Sequence, residues 1–217
     1  MDLPALCHTD IRFLYMSSSP TNPGCILLAS HEHNIHIWRP GNQFWTVEQT
    51  IFVKYFKSVI SFQGKFYALH YQSGHLLSFQ ILPLRVNILY VPPPMDRFQA
   101  YDGDMFLVES QGNISLVCIR KPWHVDLFRH DLKNKAWNKI DSLDDQALFL
   151  NDDHMTSVSA PEAECGGNSI YSTDAWSNYA AHVYHTENRS IRSFVRMDER
   201  RRRPRKHQVW ISPSLSC

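Results

Sequence analysis

The sequence predicts an all-β protein, a β-propeller of about four to five blades built from short antiparallel strands. Three observations carry this expectation. A hairpin-like segment recurs: Gly24-Cys25-Ile26-Leu27-Leu28 is echoed by Gly64-Lys65-Phe66-Tyr67-Ala68 and by Gly103-Asp104-Met105-Phe106-Leu107, at spacings of 40 and 39 residues. Propeller blades repeat every 40 to 50 residues or so. A turn position follows each echo (Asn34, Gly74 and Gly112) before the next apolar run. Finally, β-branched and aromatic runs alternate with Gly, Pro, Asn and Asp, and no long stretch carries a helical period.

Taken in order, residues 1–20 are a poorly patterned lead-in ending in Ser17-Ser18-Ser19-Pro20, and residues 21–217 form the expected propeller domain. Ile26 to Ala29 is a short apolar run, and Ile35 and Ile37 alternate with His36 and Trp38. Arg39-Pro40-Gly41-Asn42 is a turn signal, after which Phe44-Trp45-Thr46-Val47 restarts a strand. The second unit runs from Val59 to about Tyr90, and the third contains Met105 to Glu109 and Ile114 to Ile119. Val125 to Arg129 and Ala136 to Ile140 then repeat the outer pair of strands, as do His182 to Tyr184 and Ser190 to Phe194. Between them, Ala147 to Leu150 and Ser169 to Ser172 are further short strands. A blade cannot bury both faces alone, so neighbours must supply the missing apolar contact. Four to five blades is few for a closed ring, and the chain is expected to be an incomplete version of a longer architecture.

Bulk composition narrows the function classes. With 43 % hydrophobic and 20 % charged residues a packed core is expected rather than disorder. The 22 basic and 21 acidic side chains leave a net charge of +1, which gives no electrostatic case for nucleic-acid binding. Five scattered cysteines without a Cys-x-x-Cys pair argue against a disulfide framework or a zinc ribbon. No apolar run reaches the ~20 residues of a membrane span, and the N-terminus lacks a signal-peptide pattern. An intracellular setting, cytoplasm or nucleus, is the expectation.

Several segments together carry a family resemblance. Phe62-Gln63-Gly64-Lys65-Phe66-Tyr67-Ala68-Leu69 is one. More specific is Trp137-Asn138-Lys139-Ile140-Asp141-Ser142-Leu143-Asp144-Asp145-Gln146-Ala147-Leu148-Phe149-Leu150. It is followed by Ser157-Val158-Ser159-Ala160 and by Cys165-Gly166-Gly167-Asn168-Ser169-Ile170-Tyr171-Ser172-Thr173-Asp174, and the closing Val209-Trp210-Ile211-Ser212-Pro213-Ser214-Leu215 fits as well. Across roughly residues 20–215 the chain resembles the KIB-type β-propeller domain attached to plant F-box proteins. That resemblance implies a kelch-like propeller that recruits a protein for ubiquitination, joined by helical F-box residues to a Skp-type adaptor of a cullin ligase. The lead-in Met1 to Pro20 is too short for those helices, so the expectation is a recognition module without an F-box.

No catalytic motif is present: there is no phosphate-binding Gly loop, Gly-x-Ser-x-Gly elbow or His-Glu-x-x-His helix. Cys165, beside Gly166-Gly167, could be an exposed nucleophile, but the glycines read as a tight turn into a strand. His31 and His33 share a strand face by alternation, a spacing able to chelate zinc; His36 has the wrong parity and a turn at Asn34 intervenes, so solvated strand-end histidines are the expectation. Asp144-Asp145 and Asp152-Asp153-His154 could pair for acid–base or metal work, yet neighbours on a strand point to opposite faces and loop solvation is expected. Arg200, Arg201, Arg202, Arg203, Arg205 and Lys206 form a concentrated basic run, a candidate nuclear-import signal. The resulting expectation is a non-enzymatic module that binds a protein partner and needs no cofactor. Its aromatic anchors would come from Trp45, Trp123 and Trp176, with Trp45 expected instead to pack inside. The alternatives are a ligase subunit with an unrecognised adaptor contact and a metal-binding propeller protein.

Overall fold

The computed structural model describes residues 11, 13–19, 21–31, 33–49, 56–70, 73–81, 84–88, 91, 93–94, 103–120, 124–150, 155–173 and 181–195. Every regular element among them is a strand, as expected. The strands form four sheets in two compact units, residues 1–99 and 100–217.

The first unit holds β1 (Phe13–Met16), β2 (Leu27–His31), β3 (Asn34–Trp38) and β4 (Thr46–Gln49) as one antiparallel meander. A second meander follows: β5 (Phe56–Phe62), β6 (Lys65–His70), β7 (Leu76–Ile81) and β8 (Leu84–Ile88). Because side chains alternate across a strand, one face of the first sheet sends Leu28, Ile35 and Ile37 into a shared core with Val59, Phe66, Ala68 and Phe79. Phe79 lies between Phe56 and Phe66 with ring centroids 5.4 Å away on either side. The Tyr15 hydroxyl accepts the Ser61 backbone N–H at 2.7 Å, so a polar bond joins the two sheets where the aromatic packing ends.

The second unit holds a third meander of β9 (Gly103–Ser110), β10 (Asn113–Arg120), β11 (His124–Asp131) and β12 (Ala136–Ile140). Its last sheet has the order β14-β13-β15-β16-β17, from β13 (Gln146–Leu150), β14 (Met155–Ser159), β15 (Ser169–Thr173), β16 (Ala181–His185) and β17 (Ser190–Val195). Here β13 and β15 run parallel, Ala147 beside Ser169. Parallel neighbours need a crossover, and the chain passes through β14 on the far side of β13 before it reaches β15. Phe106, Val108, Val117 and Leu127 of the third sheet pack with Leu148, Leu150, Ile170 and Tyr184 of the fourth.

The repeat is real, but its third echo is displaced by one strand. Gly64 sits in the turn that joins the first and second strands of its sheet. The equivalent position in the third sheet is Gly112, in the β9–β10 turn, whereas Gly103 opens β9. Dihedral angles support the new alignment. Gln63 and Gly64 have φ of 48° and 72°, and Gln111 and Gly112 have φ of 50° and 68°. Two successive left-handed residues suit a tight hairpin whose twist matches its strands, so Gln-Gly is the repeated device. A strand onset and a hairpin turn both place Gly before apolar residues, and sequence spacing alone does not separate them.

Candidate interaction surfaces

The first sheet is apolar on both faces. Its pairing places Leu14, Ala29, His36 and Val47 in one row, and Met16, Leu27 and Trp38 in the next, on the face opposite the shared core. The central members are buried, but Leu14, Met16 and Val47 on the flanking strands are exposed. The β3–β4 connection projects beside them. The Trp38 indole N–H donates to the Asn42 carbonyl at 3.0 Å, and the Asn42 N–H donates to the Arg39 carbonyl at 3.0 Å. This fixed loop presents Phe44, whose side chain is 77 % exposed. Trp45 beside it is half-buried. The strand expected from Phe44 starts only at Thr46, which leaves the Phe44 ring exposed on the loop.

The expected histidine pair is rearranged. His33 lies in the β2–β3 turn rather than on a strand face with His31. Register pairs Ala29 with His36, so His36 stands on the face of His31, and their rings approach edge-on at 6.4 Å. Parity counted straight through a hairpin turn fails, because the chain reverses there.

A different histidine arrangement occupies the β6–β7 turn. The Ser73 hydroxyl lies 2.8 Å from His70 Nδ1 and 2.7 Å from His75 Nδ1, and the Ser73 N–H donates to His70 Nδ1 at 3.2 Å. An Nδ1 that accepts a backbone N–H is unprotonated, so the turn favours neutral His70. Burial, and then the neighbouring His75 charge, push the His70 pKa below its ordinary value.

Asp144 and Asp145 occupy a turn, not a strand. The Asp145 carboxylate accepts from the Gln111 side chain at 2.8 Å and from the Gln146 side chain at 3.1 Å, so it fastens the β9–β10 turn to the start of β13. Asp152, Asp153 and His154 lie outside the described residues, as do Trp123, Trp176 and the basic run Arg200, Arg201, Arg202, Arg203, Arg205 and Lys206. Burial pushes the Cys165 thiol pKa up, which disfavours the thiolate a nucleophile needs. Gly166 and Gly167 are not in left-handed conformations; Glu164 and Asn168 are, with φ of 51° and 54°. A Cβ at Gly167 would meet the Asp144 carbonyl at 3.4 Å and the Ala160 Cβ at 3.5 Å, ordinary contact distances, so neither space nor φ demands glycine there.

Asn168 is the centre of this region and was not singled out from sequence. It is buried, and its side-chain carbonyl accepts the Leu143 N–H at 2.7 Å and takes a very short bond from the Thr186 hydroxyl. Its amide donates to Glu187 at 3.1 Å, while its own backbone N–H bonds the Gln146 carbonyl at 2.9 Å. Asn168 thus clasps the turn at Leu143 and the start of β13 to the β16–β17 turn at Thr186 and Glu187. Among the described residues no three His, Cys, Asp or Glu side chains gather as metal ligands, and no helix is long and apolar enough to cross a membrane.

Comparison with known proteins agrees with this architecture. The chain is 26 % identical over 163 residues to an F-box/kelch-repeat protein of Arabidopsis thaliana, a match covering 69 % of this chain and 46 % of that protein. It therefore spans about half the length of the curated relative it matches. The model of the KIB1-4 beta-propeller matches residues 1–194, nearly the whole chain and all four sheets but for the last residue of β17. With meandering sheets, a repeated Gln-Gly hairpin and no helix among the described residues, the chain belongs to the KIB1-4 beta-propeller family.

Proposed function

We propose that this chain is a non-enzymatic interaction module that seats a protein partner against the exposed apolar residues on the flanking strands of its first sheet, with Phe44 as the anchor. One observation carries the reading. Of the seven large hydrophobic residues exposed among the described ones, Ile11, Leu14, Met16, Phe44 and Val47 belong to the first sheet and its flanks. Singly scattered apolar residues need no explanation, but five of seven on one sheet and its flanks single that sheet out as a contact surface. Aromatic anchors dominate interface energies, and a ring on a loop fixed by Trp38 loses little entropy on binding.

The test is capture from plant extract with wild-type protein and a Phe44→Ser, Val47→Ser double variant. Partner recovery should fall at least about tenfold, the cost of one lost anchor, while the unfolding midpoint stays unchanged. Undiminished recovery would remove this surface from the reading.

A second reading, that the chain serves a cullin-type ubiquitin ligase as its substrate-recruiting part, is favoured by the F-box/kelch-repeat name of its Arabidopsis relative. Co-purification of a Skp-type adaptor supports it, and capture of partners without adaptor or cullin counts against it. Both readings place the protein in the cytoplasm or nucleus, with Arg200 to Lys206 as the proposed import signal.

A further inference from the structure

Four charged side chains meet at one end of the third sheet, on one of its faces. The register explains how. Cys118 pairs with Asp126 and Arg120 with His124, so Asp126, Arg120 and His124 stand on the same face. Phe128 pairs with Lys139, and Phe128 is two residues from Asp126, so Lys139 joins them. Antiparallel order brings the end of β10, the start of β11 and the end of β12 to the same place.

There the Asp126 carboxylate takes Lys139 Nζ at 2.7 Å on one oxygen, and Arg120 at 3.1 Å and His124 Nε2 at 3.4 Å on the other. Its side chain is only 10 % exposed, whereas those of Arg120, His124 and Lys139 are 45 %, 53 % and 56 % exposed. Burial alone would raise the Asp126 pKa. The Lys139 hydrogen bond and the charges of Lys139, His124 and Arg120 outweigh it and hold the carboxylate ionised. The Tyr184 phenol also senses Asp126: burial raises its pKa, Arg189 lowers it and the Asp126 charge adds to the rise.

One carboxylate does not balance this set. Arg120 and Lys139 leave one positive charge in excess. The ammonium carries three donors and the guanidinium five, so both keep N–H groups directed to solvent. Pairing offsets the cost of burying the Asp126 carboxylate, while the heads of Arg120, His124 and Lys139 stay about half exposed. Asp126 gathers cationic heads from three strands in advance, and an incoming anion does not have to order them.

We propose that Arg120, His124 and Lys139 form a recognition site for a phosphoryl group carried by the protein partner. A phosphate monoester brings close to two negative charges and three acceptor oxygens, suited to the excess positive charge and to the solvent-facing N–H donors of three heads. A second carboxylate would offer half the charge to heads that Asp126 already partners. This inference deepens the interaction-module reading and rests on it.

The full chain is titrated with the tripeptide acetyl-Gly-phosphoSer-Gly-amide and with its Ser and Glu counterparts, by calorimetry and by the phosphorus NMR shift. The phosphorylated peptide should bind at least about tenfold more tightly than either counterpart. Lys139→Gln and Arg120→Gln should each weaken it about tenfold or more, while Lys139→Arg retains it. All three substitutions fall on half-exposed heads, and unchanged unfolding midpoints show that the variants fold. A phosphorus signal that does not move up to millimolar protein, equal binding of the Glu peptide, or Gln variants that bind like wild type would each overturn the proposal. The two readings fail separately. Partner capture without tripeptide binding removes this site alone, whereas tripeptide binding with capture indifferent to Phe44 and Val47 removes the first-sheet surface alone.

Discussion

Between residues 11 and 49, in the first unit, apolar side chains reach solvent and the connecting loop is set largely by backbone hydrogen bonds and one buried indole. Between residues 137 and 187, in the second, polar side chains turn inward and bond to buried backbone, as Asn168 does with Leu143 and Thr186. A buried amide that satisfies several partners fixes a unique arrangement, because each partner would otherwise lose its hydrogen bond without water to replace it. Exposed Leu14 and Phe44 fix nothing in the fold and are free for an external contact. The contrast separates residues that hold this chain together from residues available for recognition.

The sharpest way to break that contrast is Asn168→Ala. Leaving the Leu143 N–H and the Thr186 hydroxyl without an acceptor, and placing alanine at a φ of 54°, should cost about 3 kcal/mol in urea unfolding. Asn168→Gly removes the side chain but tolerates the backbone, so its smaller loss isolates the hydrogen bonds. If the alanine variant unfolds within ~0.5 kcal/mol of wild type, the clasp is not what holds this region.

A smaller effect tests where the units agree. Gly64→Ala and Gly112→Ala each place a Cβ in open space at a left-handed φ, so each should cost about 1 kcal/mol through backbone strain alone. Near-equal losses support the displaced repeat; a loss at only one of them would undo the equivalence of the two Gln-Gly turns.

The smallest expected effect is on pH dependence in the first unit. His70 has its pKa lowered from the ordinary 6.5, so the unfolded chain binds its proton more readily than the folded one. Its contribution to stability is complete above that value and is lost as pH falls from there through the folded pKa. Unfolding followed from about pH 7.5 to 5.5 should show this loss, and His70→Gln should flatten it. An NMR titration placing His70 at or above 6.5 would show that the Ser73 bonds do not favour the neutral ring.

Much of the strand pattern was legible because it is local. Apolar runs and turn residues placed β2, β3, β6, β10 and β11 within a few residues. The parallel pairing of β13 with β15 was not, since nothing in either run specifies its neighbour. Strand parity placed His33 rather than His36 on the face of His31, because the chain reverses at the turn between them, and Gly103 opens a strand where the echo implied a turn. Asn168 carried a weak signal, an Asn after two glycines, which suits a left-handed position but does not reveal its partners.

Alternation, turn chemistry and composition thus determined by themselves that this chain is β throughout its described residues, with a blade-length repeat. These depend on neighbouring residues and on the period of a strand. Which sheet faces are covered, and which charges share an end of a sheet, were decided only by tertiary structure. Arg120, His124, Asp126 and Lys139 lie on three strands and converge because register and sheet order align them, and both are fixed by packing over the whole unit rather than by any local run.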